Sequence, residues 1–172
     1  MAKAVIIIVV VIILGVLGFW IYGQVPKGPD YSKEFPIQGH DHIPVGATHP
    51  PYNSNPPTSG WHYSDPAKTG FYNYELPDEQ LIHNLEHGHI WIAYRPAVSP
   101  EIINSLKAFA SPMAVITPRS ANDSDISLAS WGRLDNFNLE NGTLDDKRVK
   151  NFILRYENRG PEKVGPSAMV RP

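Results

Sequence analysis

The first strongly patterned stretch of the chain is an apolar run from Ala4 to Tyr22 that contains no Asp, Glu, Lys or Arg. An α-helix rises about 1.5 Å per residue, so this run covers close to the roughly 30 Å hydrocarbon thickness of a bilayer. Trp20 and Tyr22 stand where an aromatic belt at the membrane surface is expected. Because no small-residue cleavage site follows, the pattern predicts a retained transmembrane anchor over residues 1–22.

The charges that flank this anchor indicate its orientation. Lys3 lies on the short N-terminal side, and basic residues favour the cytoplasmic side of a membrane segment, although Lys27 lies just beyond the other end. We therefore predict a cytoplasmic N-terminus and a domain outside the cytoplasm, attached to the membrane through residues 4–22.

The next part of the chain lacks helical periodicity. Residues 23–34 mix glycine, proline and charge with little apolar content, which predicts a linker. Residues 35–172 are enough for a single domain with one hydrophobic core. From residue 35 to residue 77 prolines recur too often for helices, yet aromatic residues are dense. This combination predicts an ordered but irregular, proline-rich loop layer rather than disorder.

After Pro77 the pattern becomes regular. The acidic pair that follows this proline begins a predicted helix through His87, and Gly88 is the residue type expected just past a helix C-terminus. The apolar and β-branched run His89–Tyr94 is typical of a buried strand.

The second half of the domain continues with recognisable elements. Ser99 as N-cap and Pro100 as first helical residue predict another helix. Strands are predicted at Met113–Thr117 and Ile126–Leu134, and a last helix is predicted to begin at Thr143. The order β-α-β-β-α indicates an α+β domain with a small mixed sheet and packed helices, and it is also the order of the C-terminal part of a thioredoxin-like fold.

Composition narrows the possible functions. The formal net charge is −2 and there is no basic run, so the chain has no electrostatic footprint for nucleic acid. The chain has no cysteine, which excludes disulfides, thiol catalysis and thiolate metal sites. Any metal site would have to use histidine, carboxylate, methionine or backbone oxygen.

The histidines are concentrated in the first half of the domain. All seven lie between positions 40 and 89, and they are His40, His42, His49, His62, His83, His87 and His89. Imidazole is the commonest neutral metal ligand at physiological pH, so the cluster predicts a transition-metal site. The alternative is that the histidines only pack within the loop layer. The domain would then be a non-metal interaction module whose aromatic loops dock a partner or a cell-envelope polymer.

The sharpest motif is the segment from His83 to Gly88, which reads HNLEHG. On a helix His83 and His87 are four residues apart and project from the same face, so both can reach one ion. Glu86 would accept a hydrogen bond from a ligand imidazole. The same residues spell H-x-x-E-H, the motif in which glutamate serves as general base on zinc-bound water, so a zinc hydrolase is a further alternative.

A second motif, PPTSG-x-H, ends at His62. The two prolines fix an extended chain, and Gly60 permits a turn that aims His62 inward. Thr58 and Ser59 are not predicted to be nucleophiles because no G-x-S-x-G elbow is present. We assign no catalytic residue, and the sequence favours binding over catalysis.

These motifs together resemble a domain-of-unknown-function family of bacteria and archaea, many of whose members carry an N-terminal membrane segment. The resemblance rests on His42-Ile43, PPTSG-x-H, Gly70-x-Tyr72, HNLEHG, Trp131-Gly132-Arg133 and Gly160-Pro161-Glu162. It implies no settled activity. It does imply that some of the polar residues belong to the family's motif blocks, namely His42, His62, His83, Glu86 and His87, whereas His40, His49 and His89 belong to them less clearly.

We therefore expect a membrane-anchored, extracytoplasmic metal-binding domain, with copper as the first candidate and zinc as the second. The predicted ligands are His62, His83 and His87, with His42 as a fourth and Glu86 beside them. Met113 could add a soft thioether ligand suited to copper. The expected role is copper handling for a membrane oxidase or another metalloenzyme partner, or electron transfer.

Overall fold

A computed structural model describes residues 2–162 and begins with the apolar helix α1, Ala2–Gln24. Its segment Ile6–Gly23 is long and apolar enough to cross a membrane, and none of this segment is buried against the rest of the protein. A helix of this kind could anchor the chain in a membrane or act as a signal sequence. The orientation of this helix in a membrane stays a prediction.

Within the described residues, six strands form one mixed sheet. They are β1 (Lys33–Glu34), β2 (Gly70–Phe71), β3 (Ile90–Tyr94), β4 (Ala114–Pro118), β5 (Ile126–Ser130) and β6 (Arg133–Phe137), and they lie in the order β1-β6-β5-β3-β4-β2. The strands from β1 to β3 in this order pair antiparallel, whereas β4 pairs parallel with both β3 and β2. The described part of the domain contains three helices, α2 (Asp78–Glu86), α3 (Pro100–Lys107) and α4 (Asp146–Tyr156).

The central strand β3 is buried along its whole length and separates two hydrophobic clusters. Ile90, Ile92 and Tyr94 pack in one cluster. This cluster also contains Leu106 of α3 and Phe152 of α4. Trp91 and Ala93 pack in the other cluster, which contains Leu81 and Leu85 of α2. Because side chains alternate across a strand, α2 lies on the opposite face of the sheet from α3 and α4.

The parallel pair β3 and β4 is joined by α3, and the sequence had predicted a helix at this place. Ser99 is the N-cap, with an extended backbone conformation, and Pro100 opens the helix. Pro100 suits this position because the first helical N–H has no partner within the helix. Ile90 lies opposite Ala114, and the register continues to Tyr94 opposite Pro118.

The single strand predicted at Ile126–Leu134 is wrong, because the chain reverses within it. Ser130 and Arg133 face each other across an antiparallel pair, so Trp131 and Gly132 form a two-residue turn. Gly132 has φ +70°, a conformation that glycine adopts without steric cost. The order from β3 to α4 is therefore β-α-β-β-β-α. The sequence did not reveal the reversal, because apolar residues continue on both sides of the turn.

The prediction that Thr143 begins the last helix is also wrong by a few residues. Thr143 lies in a tight turn in which its N–H donates to the carbonyl of Glu140 at 3.0 Å. The helix begins at Asp146, and the carboxylate of Asp145 accepts a hydrogen bond from the N–H of Arg148 at 2.9 Å. Asp145 therefore satisfies one of the first free N–H groups of α4, which is the role of an N-cap.

The chain between α1 and the sheet contacts the domain at several points. The side-chain amide of Asn151 donates to the carbonyl of Pro29 at 3.0 Å, and Arg155 donates to the carbonyl of Gly28 at 2.8 Å. β1 pairs with β6 and lies at the end of the range predicted as linker. The division into an anchor, a linker and a domain stays a prediction.

The structure confirms the α+β class, with an N-terminal apolar helix, a mixed sheet and packed helices. From Phe35 to Thr69 the only regular pairing in the described chain is a bridge between His42 and His62, which agrees with an irregular loop layer. The analogy with a thioredoxin-like fold stays a prediction.

The burial of β3 generates a stability test. Ile92→Ala should lower the free energy of unfolding by about 2–5 kcal/mol, because it leaves a cavity at a fully buried position. Val45→Ala removes an apolar side chain that is 82% exposed and should change it by less than about 0.5 kcal/mol. Urea unfolding of the detergent-solubilised protein, followed by tryptophan fluorescence, measures both. Equal midpoints for the two variants would contradict the assignment of β3 as the centre of the core.

Candidate metal centre

Helix α2 carries the residues of the HNLEHG motif into the interior. His83 and Glu86 lie within the helix and are 5% and 2% exposed. The helix ends at Glu86, and the N–H of its C-cap residue His87 still donates to the carbonyl of His83 at 3.2 Å. Gly88 follows with φ +82°, so the chain turns sharply out of the helix and enters β3.

The loop layer brings two further histidines to the same place. His42 and His62 form an isolated parallel bridge, in which Ile43 donates to the carbonyl of His62 at 2.8 Å and His62 donates to the carbonyl of Asp41 at 3.1 Å. The His62 side chain is fully buried, whereas His42 is exposed. Residues twenty positions apart in sequence are thereby fixed side by side.

The structure thus brings together His42, His62 and His83. Each offers one ring nitrogen, and these three nitrogens lie within 4.8 Å of one another. The His42 ring stacks on His83 with centroids 5.0 Å apart, and it meets His62 edge-on at 4.8 Å. Two nitrogens bound to one ion at about 2.0–2.1 Å can be at most roughly 4.1 Å apart. Binding would therefore need only a small inward movement, which the exposed His42 is the ring most free to make.

The protonation of the two buried rings is set by the backbone. Nδ1 of His62 lies 2.7 Å from the carbonyl of Gly60, and Nδ1 of His83 lies 2.6 Å from the carbonyl of Tyr63. A carbonyl can only accept, so each Nδ1 must carry the proton and donate it. In the neutral ring Nε2 then holds a free lone pair, which is how ligand histidines are commonly oriented in metal sites.

Glu86 adds a carboxylate beside these lone pairs. Its Oε2 lies 2.9 Å from Nε2 of His62, but the contact lacks hydrogen-bond geometry, and this Nε2 is left without a partner among the described residues. A buried acceptor without a donor is costly. A cation that both atoms could bind would remove this cost, so the donor set fits a metal ion.

Burial also keeps His83 neutral. It lowers the pKa of His83 to about 4 from the ordinary 6.5, although the bond to the Tyr63 carbonyl acts in the opposite direction. Charge on His87, His62 or His42 would lower this pKa further. At neutral pH the Nε2 lone pair of His83 is therefore available to an ion.

His87 lies at the edge of the three-histidine group and outside it. Its Nε2 is 3.1 Å from Nε2 of His83, which agrees with the predicted i,i+4 geometry. On its other side the same nitrogen lies 3.5 Å from Oε2 of Glu162. His87 was expected among the first ligands, and that role stays a prediction; the three-histidine group consists of His42, His62 and His83.

Met113 lies in the turn before β4, and its carbonyl accepts from the N–H of Ile90 at 2.8 Å. Its role as a ligand stays a prediction. His49 contacts Glu79 at 3.3 Å and packs against Tyr52 and Trp61, as expected for a histidine that stabilises the loop layer.

His89 and His40 also lie apart from the three-histidine group. Nδ1 of His89 lies 3.0 Å from the amide nitrogen of Asn84, and burial lowers the pKa of His89 to about 4. His40 is exposed on the surface.

Sequence reasoning missed the roles of several residues in and around the site. The carbonyls of Gly60 and Tyr63 set the tautomers, and no side-chain pattern reports on a backbone oxygen. Trp131 meets His62 edge-on with centroids 6.5 Å apart, across the loop layer. The Trp131-Gly132-Arg133 motif had singled out Trp131 in the sequence. Its position beside His62 follows from the fold alone. Thr58 and Ser59 are fully buried, and Ser59 accepts a hydrogen bond from the N–H of Gln38 at 3.1 Å.

A comparison with known families agrees with the resemblance noted in the sequence. A family model described as "Protein of unknown function (DUF3105)" matches residues 42–168, well over half of the chain, and this span contains all of the residues of the candidate centre. No curated protein and no solved structure matches the chain. The chain therefore belongs to the DUF3105 family of proteins of unknown function.

Proposed function

We propose that this chain is a membrane-anchored, extracytoplasmic protein that binds a transition-metal ion through His42, His62 and His83. The observation that carries the proposal is the pair of buried Nε2 lone pairs on His62 and His83, both fixed by backbone carbonyls, with the Glu86 carboxylate 2.9 Å from one of them. Nε2 of His62 has no hydrogen-bond donor among the described residues, and a cation bound there would satisfy both this lone pair and the carboxylate beside it.

Copper is the proposed ion and zinc is the alternative. A site of imidazoles and one carboxylate without thiolate accepts both ions, and copper(II) lies above zinc(II) in the usual order of affinities. A domain outside the cytoplasm with no cysteine can still bind copper through histidine. The biological role that fits is copper handling for a membrane metalloenzyme, or electron transfer if the bound copper changes oxidation state.

The geometry favours binding over hydrolysis. In the hydrolase alternative Glu86 would face a zinc-bound water held by His83 and His87. Here Oε2 of Glu86 instead faces Nε2 of His62, in a side chain that is only 3% exposed. This contact supports a role for Glu86 in binding the ion or in orienting the imidazole of His62.

The first prediction that follows from the proposed function concerns metal binding. An ion that binds only the folded protein at a hundredfold excess over Kd should add about 2.7 kcal/mol to the free energy of unfolding. Copper(II) should therefore raise the melting temperature of the protein purified without a histidine tag. His62→Ala and His83→Ala should each remove most of this rise, and Glu86→Gln should remove part of it.

His40→Ala is the matched control, because His40 is exposed and lies outside the three-histidine group. It should keep the full rise with copper. If His62→Ala and His83→Ala also keep it, the ion binds elsewhere. If the wild-type protein responds to neither copper nor zinc, the interaction-module alternative takes its place.

The second prediction concerns pH in the absence of metal. The folded-state pKa of His83 is about 4, whereas an unfolded histidine has the ordinary value of 6.5. Between these values the unfolded chain binds a proton that the folded chain does not, so stability should fall as the pH is lowered through this window. His89 acts in the same direction, since burial lowers its pKa to about 4.

Melting temperatures measured with a chelator present test this sign. His83→Gln should show a shallower fall than wild type as the pH drops from 6.5 towards 4. Above about pH 7 histidine is neutral in both states, so the two proteins should show the same pH dependence there. A fall of equal steepness in both proteins would mean that His83 does not resist protonation in the fold.

The third prediction concerns the anchor. If the apolar helix is retained, the native protein should keep residues 1–22. It should also remain in the membrane fraction after a high-salt wash, because salt weakens ionic contacts but does not release an apolar helix from the bilayer. N-terminal sequencing or intact mass measures this directly. A mature protein that begins after Tyr22 would identify the helix as a removed signal sequence.

A further inference from the structure

The last described segment of the chain, residues 158–162, crosses the end of α2 and is called the C-terminal strap here. The N–H of Asn158 donates to the carbonyl of Gly88 at 2.8 Å, and the N–H of Glu162 donates to the carbonyl of Glu86 at 3.1 Å. These bonds fix the strap on the same turn of the chain that carries the HNLEHG motif.

The crossing requires a glycine in the strap. A Cβ on Gly160 would lie 2.1 Å from the carbonyl oxygen of Glu86 and 2.3 Å from the nitrogen of Gly88, both backbone atoms that cannot move aside easily. This close approach explains why the Gly160-Pro161-Glu162 motif accompanies HNLEHG in one chain: the two motifs are in contact.

The strap places Glu162 beside His87. Oε2 of Glu162 lies 3.5 Å from Nε2 of His87, and the two side chains are 62% and 17% exposed. From Glu162 through His87 and His83 to His62, exposure falls from solvent to complete burial. The four side chains thus form a continuous path of potential metal ligands from the surface to the interior.

His83 stands between two sets of ligands. Its Nδ1 donates to the carbonyl of Tyr63, so Nε2 is its only ligand atom. His83 belongs to the three-histidine group, and its Nε2 is also 3.1 Å from Nε2 of His87. Two nitrogens that bind one ion at about 2.0–2.1 Å are roughly 3–3.5 Å apart when the bond angle is near tetrahedral. His83 and His87 therefore already have the spacing of two ligands on a common ion.

We propose that His87 and Glu162 form an outer metal position that shares His83 with the centre, and that the ion passes between solvent and the centre through it. The inference rests on the proposed function, because it concerns the same transition-metal ion. One lone pair binds one ion at a time, so His83 can serve the outer position only while it releases the inner one. The outer position consequently transfers the ion and does not bind a second ion at the same time.

The transfer is a ligand exchange without a change of oxidation state. Without an ion, Nε2 of His87 faces the Nε2 lone pair of His83, so His87 must carry a proton on Nε2 and donate it. When the ion arrives the neutral ring changes tautomer: Nε2 gives its proton to solvent while Nδ1 takes one up, so Nε2 binds the ion and the ring stays neutral. Glu162 supplies a negative charge that attracts the cation to this position.

The rate of copper release tests the proposal. The full-length protein in detergent is loaded with one equivalent of copper(II) and mixed with excess EDTA, and the loss of the bound-copper absorbance is followed by stopped flow. His87→Gln and Glu162→Gln should each release copper roughly tenfold more slowly or worse, which corresponds to about 1.4 kcal/mol in the barrier. Affinity at equilibrium, measured by chelator competition, should stay close to wild type.

Glu79→Gln is the matched control. Glu79 also pairs with a partly exposed histidine, His49, at 3.3 Å, but this pair lies outside the three-histidine group. Its release rate should equal that of wild type. Glu162→Gln keeps the shape of an exposed side chain, so its fold is not at risk and its rate can be interpreted.

The other outcomes are each decisive. Unchanged release rates in both variants would mean that the ion leaves on the exposed His42 side, and the outer position would be wrong while the metal centre stood. A large loss of equilibrium affinity in His87→Gln would make His87 a ligand of the centre itself and would overturn the transfer role. A wild-type protein that binds no copper would overturn the proposed function together with this inference.

Discussion

The complete burial of β3 is the constraint on which the rest of the structure depends. A strand buried on both faces must be covered on both, and here Trp91 and Ala93 are covered on one side while Ile90, Ile92 and Tyr94 are covered on the other. Helix α2 reaches β3 through a short turn at Gly88, so covering the Trp91 face also determines where the end of α2 lies. The histidines at that end are thus held by the hydrophobic core rather than by a mobile loop.

The candidate centre combines this rigid helix with an irregular layer that could not hold a site alone. His62 reaches the interior because the loop forms a bridge with the segment of His42, and because Gly60 and Tyr63 direct their carbonyls at two imidazole rings. Each buried ring therefore has one nitrogen that donates to the backbone and one that carries a lone pair. This arrangement would favour the binding of an ion, since a ligand fixed in advance loses less entropy on binding.

The contact between α2 and the C-terminal strap defines a path from solvent to the buried histidines. Gly160 permits the backbone of the strap to approach the end of α2 closely, and Glu162 then stands at the solvent edge of the histidines. Burial increases steadily from Glu162 to His62, while His83 remains within reach of both ends. Binding and transfer would in this way use the same residue, and a change at the strap would affect the rate of metal exchange more than the affinity.

The amino-acid sequence by itself determined the features that depend on local chemistry. The apolar run of α1, the helix that ends at Gly88, the buried run that becomes β3, and Pro100 at the start of α3 follow from hydrophobic period and capping, which act over a few residues. The absence of cysteine excluded thiolate ligands, and the clustering of histidine made imidazole the first candidate ligand. The tertiary structure decided what depends on residues far apart in sequence. It divided the predicted Ile126–Leu134 strand at Gly132, because the reversal depends on pairing between β5 and β6. It also brought His42 next to His62 and His83, because that placement depends on which loop lies over α2. Backbone carbonyls fixed the tautomers of His62 and His83, and no pattern of side chains can report where a carbonyl will point until the chain has folded.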